Sequence, residues 1–262
     1  MGYGEEFQKL LRIRSAERNA AHLLPYLEPG QRILDFGCGP GTISMGLAKA
    51  VEPGELHGID TEESQIAIAR AAAEAGGHGN ASFRRGDATD LPFDDDSFDV
   101  AHCHAVLNHV PGTAAVLSEV MRVLKPGGLL SCREIFVDSS FFEPDVGEGW
   151  VIFENLLSAA GGHPQMGKQL RHALAEAGFA DVSASASFEA FGTPGGIDFM
   201  HDFVSGWFFS PDIVEKVTKF GLASTEEIEE SRGLLDQWRQ HPGAFAAIAW
   251  GEALGRKPLP AA

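Results

Sequence analysis

The chain has 262 residues, 44% of them hydrophobic, enough for one sizeable core and short enough for a single α/β domain. Lys and Arg number 20 against 37 Asp and Glu, a formal charge of −17 that repels phosphate backbones and anionic lipid and excludes nucleic acid as the expected partner. No window approaches about eighteen uninterrupted apolar residues, and Met1 to Glu6 lack the basic-then-apolar order of an export signal, so a cytoplasmic protein without membrane insertion is expected. Cys38, Cys103 and Cys132 are odd in number, follow no framework spacing and read as reduced thiols.

In chain order, Glu5 to Leu27 carries apolar residues at three- and four-residue spacing and predicts a helix; residues 1–30 are expected to cover one end of the core. From Gln31 to Ser139 apolar runs alternate with helical patterns: "RILDF", a helix from Thr42, "ELHGID", a helix from Glu62, "ASFRRGD", "FDVAHCH", a helix from Thr113, and "GGLLSCREIFV". This rhythm predicts βαβ units and a parallel sheet covered on both faces. A helix within "MGKQLRHALAEAGF", a strand after it and a last strand from Ala244 complete the pattern. The roughly fifty residues between those strands are rich in Phe and Trp, read mostly as helix and are too long for an idle loop. One domain is therefore expected, with a core over 31–139 and capping insertions over 140–165 and 190–242.

The stretch "RILDFGCGPGT" ends a strand at Asp35 and then uses Gly37, Gly39 and Gly41 before a helix. Glycine belongs where φ is positive and where a ligand approaches the backbone. The dinucleotide spacing G-x-G-x-x-G would place its third glycine at Thr42, which disfavours a pyrophosphate cradle and with it a nicotinamide-dependent oxidoreductase; the P-loop lysine is also missing. Asp60 ends the second strand, where a carboxylate can grip both hydroxyls of a ribose. Asp87 follows the third, placed to accept from an adenine amino group. Three acids and a glycine turn at successive strand ends suit a positively charged nucleoside.

"ILDFGCGPGT", "GID", "GDATDLPFDDDSFDVAHCHAVLNHV" and "VLKPGG", in that order, resemble the class I S-adenosylmethionine-dependent methyltransferases, in the small-molecule branch of the ubiquinone/menaquinone-biosynthesis type. The resemblance spans about Arg32 to Phe136. It implies a Rossmann-like three-layer α/β/α sandwich with a seven-stranded, mostly parallel sheet, an antiparallel last strand and helical cap insertions. It also implies S-adenosylmethionine as cofactor, S-adenosylhomocysteine as product and a small-molecule acceptor. Carried onto this sequence, it assigns Asp35, Gly37, Cys38, Gly39 and Gly41 to the amino-acid part of the cofactor, Asp60 and Thr61 to the ribose, and Gly86, Asp87 and Ala88 to the adenine. Gln65 falls where the family often has an apolar residue against adenine, and Arg14 where several members place an arginine for the methionine carboxylate. Residues at the end of "FDVAHCH" are implied near the methylthio group, so His104 is expected to line the site and to serve as general base, imidazole titrating near working pH. Asn108 and His109 are the next candidates.

Other features carry two readings. His102, His104 and His109 raise the question of a metal, but their spacing matches no closed zinc site and none is expected. Asp94, Asp95 and Asp96 read as a solvated turn. Glu134 and Asp138 are either a polar strand end or groups that reach the substrate. Phe141, Phe142, Trp150, Phe199, Phe203 and Trp207 are either helix packing or the wall of an acceptor pocket, with His201 as a polar handle. The pocket reading favours an apolar or aromatic acceptor methylated on oxygen or carbon. The alternative is a cyclase-like or binding protein that holds the cofactor without transferring from it. A homo-oligomer is compatible with the sequence.

Overall fold

A computed structural model describes residues 5–147 and 149–260. The reading of Met1 to Gly4 lies outside the described residues. The chain opens with α1 (Glu5–Arg12) and α2 (Ala16–Asn19), then runs through β1 (Arg32–Phe36), α3 (Thr42–Ala50), β2 (Glu55–Asp60), α4 (Glu63–Gly76) and β3 (Ala81–Arg85). It continues with β4 (Phe98–His104), α5 (Thr113–Val123), β5 (Leu124–Ile135), β6 (Phe141–Glu143), α6 (Gly149–Ala159), α7 (Met166–Glu176) and β7 (Ala180–Phe191). The last part is α8 (Pro194–Phe203), α9 (Pro211–Lys219), α10 (Thr225–Gln240) and β8 (Phe245–Arg256). The single helix expected over Glu5 to Leu27 is instead two helices and a 3-10 turn at Leu24–Tyr26. Ser15 is in extended backbone (φ −150°, ψ 164°) before α2, and Pro25 allows only a short turn.

The strands order as β3-β2-β1-β4-β5-β8, with β7 on the outer side of β8. The first five pair in parallel; β8 runs antiparallel to both β5 and β7. This is the expected Rossmann-like sheet with its antiparallel last strand, enlarged by one element. The short β6 adds three residues along β8 beyond β5, a segment too brief to show a period of two.

Alternation along each strand divides the core. Ile33, Val100 and Leu129 pack with α3 and α4 residues such as Leu47 and Ile66. Leu34, Ala101 and Leu130 point the other way, toward α5 and α7 residues such as Val120 and Leu170. A third apolar cluster draws on α6, α8, α9 and α10 and includes Phe203, Trp207 and Trp238. It stands over the carboxyl edge of the sheet, where α1 also joins it through Leu10. Among the described residues no helix is long and apolar enough to cross a membrane. All three cysteines are free thiols.

Candidate active site

The carboxyl ends of the central strands open on a cavity of about 540 Å³. Its floor is the glycine turn. Gly37, Gly39 and Gly41 hold φ values of 70°, 53° and 78°. A Cβ on Gly37 would run into Val106, whereas one on Gly39 would meet nothing within 4 Å, so the side-chain position of Gly39 is left as open space. Cys38 N donates to the Ile59 carbonyl at 2.9 Å and locks the turn to β2. Burial, with Asp35 and Asp60 close by, pushes the Cys38 thiol well up, so it stays protonated.

The three acids differ in what they face. Asp35 is buried and both its oxygens are engaged: Oδ1 lies 2.9 Å from His102 Nδ1, and Oδ2 accepts from the Ser44 hydroxyl. It lines the cavity but chiefly ties β1 to β4 and α3. Asp60, 8% exposed, accepts from Gly39 N and from Glu62 N, each at 2.9 Å, which fixes its carboxylate beside the turn with lone pairs to spare. Burial raises its pKa, and the two amides pull it back. Asp87 is exposed at the cavity rim and accepts from Thr89 N and Thr89 Oγ1 at 2.8 Å. Thr61, Gly86 and Ala88 complete this half of the wall.

The other half is aromatic. His104 is 6% exposed, and neither ring nitrogen has a partner among the described residues. Its ring lies 4.6 Å from that of Trp250 on β8. Burial holds its pKa well below the ordinary value, helped by the Arg14 and Arg133 guanidinium groups, so the imidazole is neutral. Arg14 lines the cavity and Arg133 sits over Trp250 at 4.4 Å. Opposite stand Trp150, Phe153, Phe203, Trp207 and Phe208 from the cap. A π-helical turn over Val204–Phe208 lets both Trp207 and Phe208 face inward. The indole N–H groups of Trp150, Trp207 and Trp250 have no acceptor among the described residues.

The family described as a methyltransferase domain matches residues 27–178, more than half of the chain. The chain belongs to that family. Similar to this methyltransferase domain is an uncharacterized methyltransferase of Schizosaccharomyces pombe, 34% identical over 166 residues that cover 60% of each chain. A demethylmenaquinone methyltransferase of Geobacillus kaustophilus is 39% identical over 109 residues, 41% of this chain and 47% of that one. The chain thus spans less than two thirds of the length of these relatives. Among solved structures, the YcgJ protein of Bacillus subtilis shares the fold at a TM-score of 0.65 and 17% identity, covering 92% of this chain and 99% of that one.

The cavity gathers Asp35, Gly37, Cys38, Gly39, Asp60, Thr61, Gly86, Asp87, Ala88 and His104 of the methyltransferase domain, together with Asn108 and His109, and Arg14 from ahead of it. Gly41 lies just behind, as the N-cap of α3. Gln65 is not brought to the wall: it is buried in α4. Asp138 pairs with Lys168 on the surface, and His201 is held by Asp202 and Asp236 outside the cavity. Of the six aromatics singled out, Trp150, Phe203 and Trp207 reach the cavity, while Phe141, Phe142 and Phe199 pack against other rings. Phe7, Trp250 and Glu189 escaped notice because one lies at the chain start and two in strands whose period shows no binding role. The acidic turn is partly ion-paired, Asp95 to Arg122 and Asp96 to Lys257. Among the described residues no group of three or more His, Cys, Asp and Glu is placed to hold a metal ion.

Proposed function

We propose that this protein binds S-adenosylmethionine in the half-cavity made by β1, β2 and β3 and transfers its methyl group to a small, apolar or aromatic molecule held under the cap, on oxygen or carbon. The observation that carries the reading is the pairing of the open space beside Gly39 with the fixed carboxylate of Asp60, which together suit a nucleoside with free ribose hydroxyls. The residues present fit the cofactor: Asp87 for the adenine amino group and Arg14 for the methionine carboxylate. Bound there, the sulfonium supplies a methyl group already activated for displacement.

What remains for the chain is alignment and exclusion of water, effects that supply up to about 7–11 kcal/mol in well-oriented systems. The aromatic wall excludes water. The unpartnered indole N–H groups favour an acceptor bearing oxygen, since a ligand oxygen reaching one of them satisfies a buried donor. His104, neutral and without a partner on either nitrogen, is the group proposed to take the acceptor's proton. Its low pKa makes it a weak base on its own, so it serves acceptors that are themselves acidic, such as phenols or activated carbons.

Calorimetry with S-adenosylhomocysteine is expected to give heat where NAD gives none, and a hundredfold excess of ligand over Kd is expected to stabilise the fold by about 2.7 kcal/mol. A labelled methyl donor incubated with a metabolite extract then identifies the acceptor; binding without formation of S-adenosylhomocysteine marks a cofactor-holding protein that does not methylate. With the acceptor in hand, His104→Gln is expected to lower kcat by roughly 100-fold. An unchanged kcat removes His104 as the base.

A further inference from the structure

The segment after β4, residues 105–110, forms the cavity wall between the cofactor half and the cap. Its own backbone supplies only two turn bonds, His109 N to the Val106 carbonyl at 2.9 Å and Val110 N to the Leu107 carbonyl at 3.4 Å; Ala105, whose N donates to the Arg133 carbonyl at 2.9 Å, takes φ 55°, a conformation a side chain resists. The side chain that ties it to the sheet is Glu134 of β5, which points to the sheet face opposite His104. Glu134 Oε1 accepts from Val106 N at 2.9 Å and Leu107 N at 2.8 Å, and Oε2 accepts from Asn108 N at 3.2 Å. With its amide nitrogen turned toward Glu134, as the surrounding donors and acceptors require, Asn108 Nδ2 donates to Oε2 at 2.9 Å. The Cys103 thiol lies 3.7 Å from Oε1.

Every neighbour of this carboxyl group is therefore a donor, and the group is 0% exposed. An ionised carboxylate only accepts, and it satisfies them all. A neutral acid brings an O–H that finds an acceptor only if the Asn108 amide turns over to present Oδ1, and it withdraws an ionised acceptor from the Asn108 backbone amide. The consequence reaches the glycine turn, because Val106 occupies the space a Cβ on Gly37 would need. The segment also anchors the cap: His163 N donates to the Asn108 carbonyl at 2.8 Å in the connection between α6 and α7.

We propose that Glu134, in its ionised form, is a positioning residue that shapes this wall, so that one proton on Glu134 loosens the segment and weakens nucleoside binding. The proposal rests on the cofactor reading above. Burial without a charged partner pushes the Glu134 pKa up to about 7, although the three backbone amides and Cys103 pull it down. The groups that face it are Cys103 from β4, held protonated by burial, and Asn108, with His109 beyond it, from the segment itself. The β8 partner is Gly251 and the α7 neighbour Gly167, neither of which titrates. Because its folded pKa exceeds the ordinary carboxyl value, ionisation costs stability as pH rises through about 7, yet it is the ionised form that fits the wall.

The test is S-adenosylhomocysteine calorimetry from about pH 6 to about pH 8 on the wild type and on Glu134→Gln, whose amide sets an N–H against the same donors. Affinity of the wild type is expected to rise about tenfold with pH, as one linked proton allows, while the Gln variant binds weakly at every pH. A Gln variant that keeps the wild-type affinity, or the same pH dependence, overturns the proposal. Amide exchange at Val106, Leu107 and Asn108 in the ligand-free wild type and in Glu134→Gln gives a second measurement that needs no ligand. Protection at these three amides, corrected for intrinsic rates, is expected to fall in the variant at about pH 8, and equal protection in the two proteins overturns the proposal even if the cofactor reading stands. Protection lost in the variant, with no heat from S-adenosylhomocysteine on the wild type, instead sinks the cofactor reading alone.

Discussion

Asp60→Ala is expected to weaken S-adenosylhomocysteine binding by roughly 100-fold, or about 3 kcal/mol, in a calorimetric titration. The carboxylate ends β2 and is fixed by Gly39 N and Glu62 N, so it needs no rearrangement to accept from two ribose hydroxyls. Each charge-assisted hydrogen bond contributes about 1.5–3 kcal/mol, and alanine also leaves two backbone amides beside the crevice without their acceptor. Asp60→Asn keeps one acceptor oxygen and is expected to lose less, about tenfold. Affinity that survives alanine removes Asp60 from the ribose site.

Gly37→Ala is expected to destabilise the fold by about 3 kcal/mol in a denaturant titration. The penalty for a side chain at φ 70° is about 1–2 kcal/mol, and the new methyl group meets Val106, adding about 1–3 kcal/mol of overpacking. For a chain of this size that loss lowers Tm by about 6–12 °C. Gly39→Ala separates fold from function. Its φ of 53° carries the same backbone cost, but its methyl group enters open space, so the larger loss is expected in ligand affinity. Equal stability losses for the two variants contradict the packing of Val106 on the turn.

The sheet was legible because its strands are buried runs that end on Phe36, one residue past Asp35, on Asp60 and on His104, each followed by a break in pattern. The acids at those ends were legible for the same reason. Their division of labour was not: Asp35 is occupied by His102, 67 residues away, and no local pattern announces that pairing. Glu134 shows the same limit more sharply. A carboxylate near a strand end suggests contact with substrate, but the face it points to is set by strand register, and that register turns it to the backbone of residues 106–108. The aromatic stretch between β7 and β8 was visible as too long for a loop, and it is mostly helix, α8 to α10. Which rings turn inward depended on the π-helical turn at Val204–Phe208, which a helical period of 3.6 misassigns.

The aromatic rings over the carboxyl edge belong to a packing cluster distinct from the two on the faces of the sheet. Evolution or a protein engineer can therefore recut the contour at Trp207, Phe208 or Phe153 without touching the residues around Gly39 and Asp60. Divergence in this lineage is expected to concentrate in α6 and in α8 to α10, giving one conserved handle many interchangeable moulds.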